Sequence, residues 1–363
     1  MSLAGSCTNA GMTQVALVGY GRFGRALGTL LVESGMSYRA LDPTADVPEA
    51  YRATSLPEVV AGAELVVVAV PVPKLHAVLA DLRSHLKPSQ LVLDVGSVKV
   101  KPVEALSQVL GTEVPWAGTH PLFGPLSLAM AERPLRVVIC PNPVHPDAAP
   151  CARRFYERLG CEVIEQTPEN HDRVMAHTHA LTFFVAKGMI DAGTGINVPF
   201  APASFQALSR TIEIVRSDAG HLFAAIQREN PFASEARRHL LNALGEVHEE
   251  LEHLSPEPSS PEVARMAIPA PQAGSPELTE ARQHIDQIDR ELMELLARRT
   301  ELAQRAARAK AREGRPVLDP AREESLLAAR REWAAELGLE PQEVESLYRT
   351  ILRFSRRSQG TKG

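Results

Sequence analysis

The chain holds only four cysteines in 363 residues, Cys7, Cys140, Cys151 and Cys161, and no C-x-x-C pair. That usage excludes a structural zinc ribbon and a disulfide-framed scaffold, and reduced thiols in a cytoplasmic protein fit it. No run of about 18 apolar residues occurs, so no membrane-spanning helix is expected. The opening MSLAGSCTNAGM lacks the basic and apolar regions of a secretory signal, and residues 1–12 read as a disordered lead-in. A basic excess is also missing. With a net charge of -5, neither nucleic acid nor an anionic membrane is the expected partner, which leaves small molecules. Hydrophobic residues make up 44% and charged residues 23%, ordinary for globular protein, and the length suffices for two or three domains.

The first half alternates strand and helix signals. QVALVG reads as a buried strand, RFGRALGTLLVESG as a helix stopped by Gly35, and YRALD as a second strand. The apolar runs LVVVAV (65–70), LVLDV (91–95) and RVVIC (136–140) continue the pattern. Runs buried on both faces imply an α/β domain with a doubly wound parallel sheet, over residues 13–167. At the first strand-helix junction, GYGRFG sets Gly19, Gly21 and Gly24 in G-x-G-x-x-G spacing, and Asp42 follows 23 residues after Gly19. Glycines there allow a pyrophosphate to approach the helix amides, and a carboxylate at the second strand's end can bind a ribose 2'-hydroxyl. This is the Rossmann-type arrangement. The candidate cofactor residues are Gly19, Gly21, Arg22, Phe23, Gly24 and Asp42. Asp42 favours NAD by repelling a 2'-phosphate, while Arg22 and Arg39 keep NADP open.

Two loops are expected beyond the C-terminal ends of strands, where ligands sit in such folds: DVGSVKVKP (94–102) and AGTHPLFGP (117–125). His120, by itself, is as readily a packing residue as a catalytic one. Together, the G-S-V-K and G-T-H-P-L-F-G-P stretches resemble the prephenate dehydrogenase family, over about Val15 to Glu252. The resemblance implies oxidative decarboxylation of prephenate with NAD to 4-hydroxyphenylpyruvate. It makes His120 the acceptor of the 4-hydroxyl proton, for which an imidazole is suited by its near-neutral pKa. It also makes Ser97 a catalytic hydrogen-bonding partner and Lys99 a substrate-binding lysine. Arg210, in a helical segment spanning 168–254, matches an arginine that grips a substrate carboxylate. Two departures stand out: Phe183 occupies a position where the family often has histidine, and the helical region ends early. His177 and His179 have no assigned role. HEELEH (248–253) spaces its histidines by five rather than four, so no metal site is expected.

The stretch 255–277, with six prolines in 23 residues, reads as a linker. A flexible chain of that length spans about 25 to 30 Å, a tether that leaves an intermediate free to diffuse. Either Ser275 or Thr279 can cap the helix on its far side. Leu278 to about Arg312 contains neither proline nor glycine and reads as one helix of about nine turns. Its apolar seam, running through Ile285, Ile288, Leu292, Leu295 and Leu302, is broken by Arg299 and flanked by Arg282 and Lys310. A dimeric coiled coil with snorkelling arginines and an anion site both fit that period. With GRPVLDPAREESLL and a final FSRRSQ, residues 278–359 resemble the all-α, three-helix chorismate mutase domain. The resemblance implies rearrangement of chorismate to prephenate. It puts Lys310 and Gln359 on the breaking ether oxygen, and Arg282, Arg299, Asp319, Arg322, Glu323 and Ser355 around the substrate. Such a reaction needs a dianion held folded and developing charge stabilised. Arg282 stands about 100° around the helix from Arg299. The family's intertwined dimer resolves this by sending that arginine into the partner's site, so a homodimer is expected. The mutase follows the dehydrogenase here, the reverse of the better-known fusion. Arogenate as the oxidised substrate, and a non-catalytic dimerising or effector-binding C-terminal module, remain as alternatives.

Overall fold

The structure, a computed structural model, describes residues 14–129, 134–194, 202–217, 220–253, 277–312 and 319–360, with Gly314 and Pro316. The expected lead-in and the linker up to residue 276, Ser275 included, lie outside the described residues. Two compact units divide the chain: Met1–Pro125 with Pro134–Ala267, and Leu126–Arg133 with Ile268–Gly363.

The first unit opens with β1 (Gln14–Val18), α1 (Arg22–Glu33) and β2 (Ser37–Leu41). It continues through α2 (Leu56–Val60), β3 (Leu65–Val68), α3 (Val72–Arg83), β4 (Leu91–Asp94), α4 (Val100–Leu110) and β5 (Trp116–Pro121). After the short α5 (Pro125–Ala129), which from Leu126 on is counted with the second unit, the first unit resumes with β6 (Leu135–Cys140), α6 (Ala148–Arg158) and β7 (Cys161–Glu165). Seven strands form one sheet in the order β2-β1-β3-β4-β5-β6-β7. Strands β1, β3 and β4 are lined by Val, Leu and Ala at or near complete burial, as runs covered by helices on both faces must be.

Two expectations need correction. The sheet is not wholly parallel, because β5 and β6 pair antiparallel and β7 then follows β6 in parallel. The described part of the 122–134 connection holds the five-residue α5 rather than the full helix that usually carries a parallel crossover. Residues Ala117–Pro121 are also strand rather than loop, buried along their whole length in β5. Thiol usage differs as well: Cys140 and Cys161 are buried thiols outside any disulfide, whereas Cys151 is disulfide-bonded.

Strand order reverses between β1 and β3, and the turn after β1 lies at that switch point. Gly19 has φ +102°, and a Cβ there would lie 2.3 Å from the Ala69 carbonyl oxygen just beyond β3. A Cβ on Gly24 would lie 2.3 Å from the Gly19 oxygen. At its far end α1 closes in a Schellman motif, with Met36 N–H bonded to Leu31 O at 2.9 Å and Gly35 N–H to Val32 O at 3.1 Å. Gly35, at φ +71°, supplies the left-handed residue that the motif needs.

Beyond the sheet, α7 (Pro168–Met175) runs through a single π-helical turn, Ala176–Ala180, into α8 (Leu181–Asp191). Helices α9 (Ala203–Ser217), α10 (Gly220–Glu229) and α11 (Ala233–Glu252) complete this part. They close on a core that includes Phe183, Ile212, Ile226 and Ala233. In the second unit, α12 (Glu277–Arg312), α13 (Pro320–Glu336) and α14 (Pro341–Gly360) are the three helices read from the sequence. Asp319 caps α13 through Arg322 N–H at 3.0 Å, and Pro320 occupies its first turn. Among the described residues, no helix is long and apolar enough to cross a membrane.

Replacing Gly19 by Ala is expected to destabilise the first unit by at least about 2 kcal/mol, since positive φ and a backbone clash act together. The urea midpoint measures it. A midpoint unchanged within error would contradict the turn geometry.

Candidate functional site

The glycine turn meets the requirements of a dinucleotide cradle. Gly21 starts α1 without a side-chain cap, and the first turn carries no acidic residue, which suits an anionic group at those amides. Arg22 is exposed at the same turn. Asp42 Oδ2 accepts Tyr20 N–H at 2.7 Å, while Oδ1 accepts the amides of Thr44 and Ala45, each at 2.8 Å. Burial pushes the Asp42 carboxyl up, but those amides and the Thr44 hydroxyl outweigh it and hold the pKa below its ordinary value. An ionised acceptor therefore stands at the end of β2. Arg39 is already committed to Glu58 and to the Arg52 carbonyl, which removes it as a partner for a 2'-phosphate. The rings of Phe23 and Phe123 lie 6.1 Å apart, bringing the glycine turn beside the His-Pro-Leu-Phe stretch.

Behind that stretch is a buried polar network built on Asp94, the last residue of β4. Asp94 Oδ2 holds the Lys99 ammonium and accepts Gly96 N–H at 3.0 Å; Oδ1 accepts Thr119 N–H at 3.1 Å. Lys99 also donates to the Thr119 carbonyl at 2.5 Å. The Thr119 hydroxyl gives its one proton to the Asp94 carbonyl, so the Tyr156 hydroxyl, 2.7 Å away, is the donor to Thr119 Oγ1. Burial raises the Tyr156 pKa far above its usual value and keeps it protonated.

Lys99 is thus a correction to the sequence reading. Its side chain is 0% exposed and its ammonium is consumed by Asp94 and Thr119, so it cannot reach a substrate. Its effect is to hold β4 and β5 together. Ser97 sits half-buried in the bend between β4 and α4, at the same end of the sheet. His120, on β5, is 4% exposed, and its Nδ1 lies 2.8 Å from His171 Nε2. His171 Nδ1 in turn lies 2.8 Å from Asp172 Oδ1. Asp172 accepts the amides of Lys99 at 2.7 Å and Val100 at 2.9 Å, tying α7 to the start of α4. Burial first, then the neighbouring His171, Lys99 and His179, hold His120 well below its ordinary pKa. An imidazole that is neutral in this way can serve as a base.

The π turn explains the pair of histidines left unassigned. It sends His177 outward and turns His179 toward His120, the two rings lying near parallel with centroids 6.3 Å apart. A π turn inserted into a helix is a recurrent feature of functional sites. Phe183, which stands where the family often has histidine, packs edge-on against His179 at 4.8 Å. Arg210 belongs to α9, and its side chain lies outside the described residues.

In the second unit, Arg299 on α12 donates to Ser355 Oγ on α14 at 2.7 Å. Desolvation lowers the Arg299 pKa, and the nearby Arg330 cation adds to that. Arg330 itself lies over the Trp333 ring at 4.1 Å. Glu323 accepts Arg356 at 2.6 Å, a partner that the sequence reading did not anticipate. Asp319 is the cap of α13, Arg322 is exposed beside it, and Lys310 is half-buried on α12. Arg282 and Gln359 fall on α12 and α14 with side chains outside the described residues. Sequence reasoning missed Asp94, Thr119, Tyr156, His171 and Asp172 as a connected set, because most of their contacts span tens of residues that no local period records.

Residues 48–165 match the family described as the nucleotide-binding domain of prephenate dehydrogenase, and residues 281–360 match chorismate mutase type II. A Methanocaldococcus jannaschii protein named "Probable arogenate/prephenate dehydrogenase" is 26% identical over 51% of this chain and 43% of its own. The T-protein of Enterobacter agglomerans is 42% identical over 24% of this chain and 23% of its own. The chain therefore spans less than half of either relative. A crystal structure of prephenate dehydrogenase from A. aeolicus, in complex with hydroxyphenyl propionate and NAD+, superposes with TM-score 0.57. At 21% identity it covers 78% of this chain and 100% of its own, which is a likeness of fold.

Lys99→Met is expected to destabilise the first unit by about 3–5 kcal/mol, because it strands a buried carboxylate, and Asp94→Asn with Lys99→Met by much less. Urea unfolding of the two variants measures the difference. Equal losses would mean that the ion pair is not what couples them.

Proposed function

Because the chain joins a prephenate dehydrogenase nucleotide-binding domain to a type II chorismate mutase domain, we propose that it carries out two consecutive reactions. Its second unit rearranges chorismate to prephenate, and its first unit oxidises and decarboxylates prephenate to 4-hydroxyphenylpyruvate. The observation that carries the oxidative half is a buried imidazole, His120, held 2.8 Å from His171, on the strand whose following Phe123 packs beside Phe23 of the glycine turn.

NAD, when bound, supplies the hydride acceptor. Gly19, Gly21, Arg22, Phe23 and Gly24 are assigned to its pyrophosphate side and Asp42 to its ribose. The carboxylate of Asp42 and the engagement of Arg39 favour NAD over NADP. His120 takes the 4-hydroxyl proton as the ring carbon becomes a carbonyl, and returns it to the phenol oxygen when carbon dioxide leaves. That step consumes no net proton, and the imidazole is needed only while the charge exists. Ser97 is assigned to the same hydroxyl, and Arg210 to a carboxylate of the dianionic substrate. Lys99 supports the site without touching substrate.

The mutase reaction forms no bond to the protein and needs only a folded dianion and donors at the ether oxygen. Arg299, braced by Ser355, grips a carboxylate; Arg282, Asp319 and Arg322 complete the enclosure. Lys310 and Gln359 donate to the ether oxygen, while Glu323 accepts the substrate hydroxyl in place of Arg356. Within one chain, Ile285, Ile288, Leu292, Leu295 and Leu302 are exposed along α12 in heptad-like spacing. An exposed apolar seam of this kind, interrupted at Arg299, supports the homodimer in which Arg282 serves the partner's site. Dependence on a dissociable cofactor and small anionic substrates favours a cytoplasmic setting.

Supplying chorismate with and without NAD tests the pair of activities. Prephenate is the expected product without NAD, and 4-hydroxyphenylpyruvate with it. Arg299→Ala should abolish the first product and leave prephenate oxidation intact; chorismate consumption at an unchanged rate would remove the mutase assignment. His120→Asn should lower NAD reduction by about 10²–10⁴-fold. Reduction with arogenate alone would move the substrate assignment to the amino analogue. Light scattering tests the seam: Leu292→Glu with Leu295→Glu should convert the dimer to monomer, and a wild-type monomer would sink the proposal.

A further inference from the structure

His120 has a problem that its own surroundings do not solve. It is enclosed, and the Lys99 ammonium and the His179 ring both oppose a positive charge on it. Among the described residues, the histidine chain leads to one carboxylate, Asp172, since Asp94 is taken up by Lys99, Gly96 and Thr119. A base that accepts a proton at such a position needs somewhere for the charge to go.

We propose that His171 and Asp172 are positioning residues that set the tautomer of His120 and take its charge onto the His171–Asp172 pair by a two-step proton relay. Asp172 is 0% exposed, and its two oxygens receive the amides of Lys99 and Val100, groups that can only donate. Oδ1 is therefore the acceptor toward His171, and His171 bears its proton on Nδ1. In neutral His171 this leaves Nε2 as a lone pair, which can accept only from His120 Nδ1–H at 2.8 Å. His120 Nε2 is then bare, the form that a general base requires.

When Nε2 takes the substrate's hydroxyl proton, the Nδ1–H bond of His120 breaks and the same proton bonds to His171 Nε2. His120 ends neutral, and the cation rests on His171 against the Asp172 carboxylate. As the phenol forms, both protons move back. Proton count and charge are conserved, and no further reagent enters.

The inference rests on the reading of His120 as the base for prephenate oxidation, and the test separates the two. Nitrogen-15 NMR of the histidine rings in the full-length protein, without substrate, should find His120 protonated on Nδ1 and bare on Nε2. A wild-type His120 protonated on Nε2 overturns the relay, whatever the activity of His120→Asn. Asp172→Asn should lower kcat for prephenate oxidation by roughly 10²–10⁴-fold, as loss of a tautomer-fixing carboxylate does. KM and NAD affinity should change little. His171→Gln, whose amide oxygen can still accept His120 Nδ1–H, should keep the tautomer while losing the relay. It should oxidise faster than His171→Leu and show an acid limb displaced from that of the wild type. Wild-type-like kcat in Asp172→Asn, or equal rates in the two His171 variants, would overturn the proposal.

Discussion

The buried ion pair between Asp94 and Lys99 is the constraint on which the first unit's site depends. A carboxylate and an ammonium withdrawn from water cost several kcal/mol each, and their attraction offsets this only when every other lone pair and proton is used. Here several of them are used: Asp94 also binds the amides of Gly96 and Thr119, and Lys99 also binds the Thr119 carbonyl. These bonds join the end of β4 to the middle of β5, so His120 follows directly from a residue fixed on both sides. Geometry set by such a network is stiff, because displacing any member leaves a charge without a partner.

The same pair imposes an electrostatic condition on its neighbour. An ammonium held in a dry interior disfavours a second cation close by, and burial of His120 acts in the same direction. Under the proposed mechanism this keeps the imidazole neutral at rest and makes a lasting imidazolium unfavourable. Asp172 lies on the other side of the histidine pair and is tied to the backbone of Lys99. One short segment, Lys99–Val100, thereby connects the cationic support beneath β5 to the carboxylate behind His171. The helical part is joined to the sheet domain by polar bonds as well as by packing, since Asp172 on α7 accepts the amides of Lys99 and Val100, and Asn230 donates to the Asp172 carbonyl at 2.8 Å within the helical part.

The second unit rests on a different principle. Its chemistry asks for several cations around one dianion, and like charges crowded on one protomer repel unless a partner or solvent separates them. Arg299 is partly desolvated beside Arg330, with Ser355 as its hydrogen-bond acceptor. Under the proposed dimer, the exposed seam on α12 and the angular separation of Arg282 from Arg299 answer to one requirement, a second chain to complete the site.

Read alone, the sequence determined the strand-helix alternation, the glycine turn, Asp42 as its distant acceptor, and the long helix with Arg299 in its apolar stripe. Each is written in local spacing, as periods of two or 3.6 residues, a turn that tolerates only glycine, or a run without helix breakers. Tertiary structure decided what spacing cannot encode. The antiparallel pairing of β5 with β6 goes with a connection whose described part holds only the five-residue α5. Lys99 became a buried support rather than a ligand for substrate because β5 brought Thr119 over it. His171 and Asp172 acquired meaning only when α7 packed on α4, and His179 when a π turn rotated it inward. In each case the deciding partner is far away in the chain, and burial, which turns a polar contact from optional to obligatory, exists only once the fold has closed.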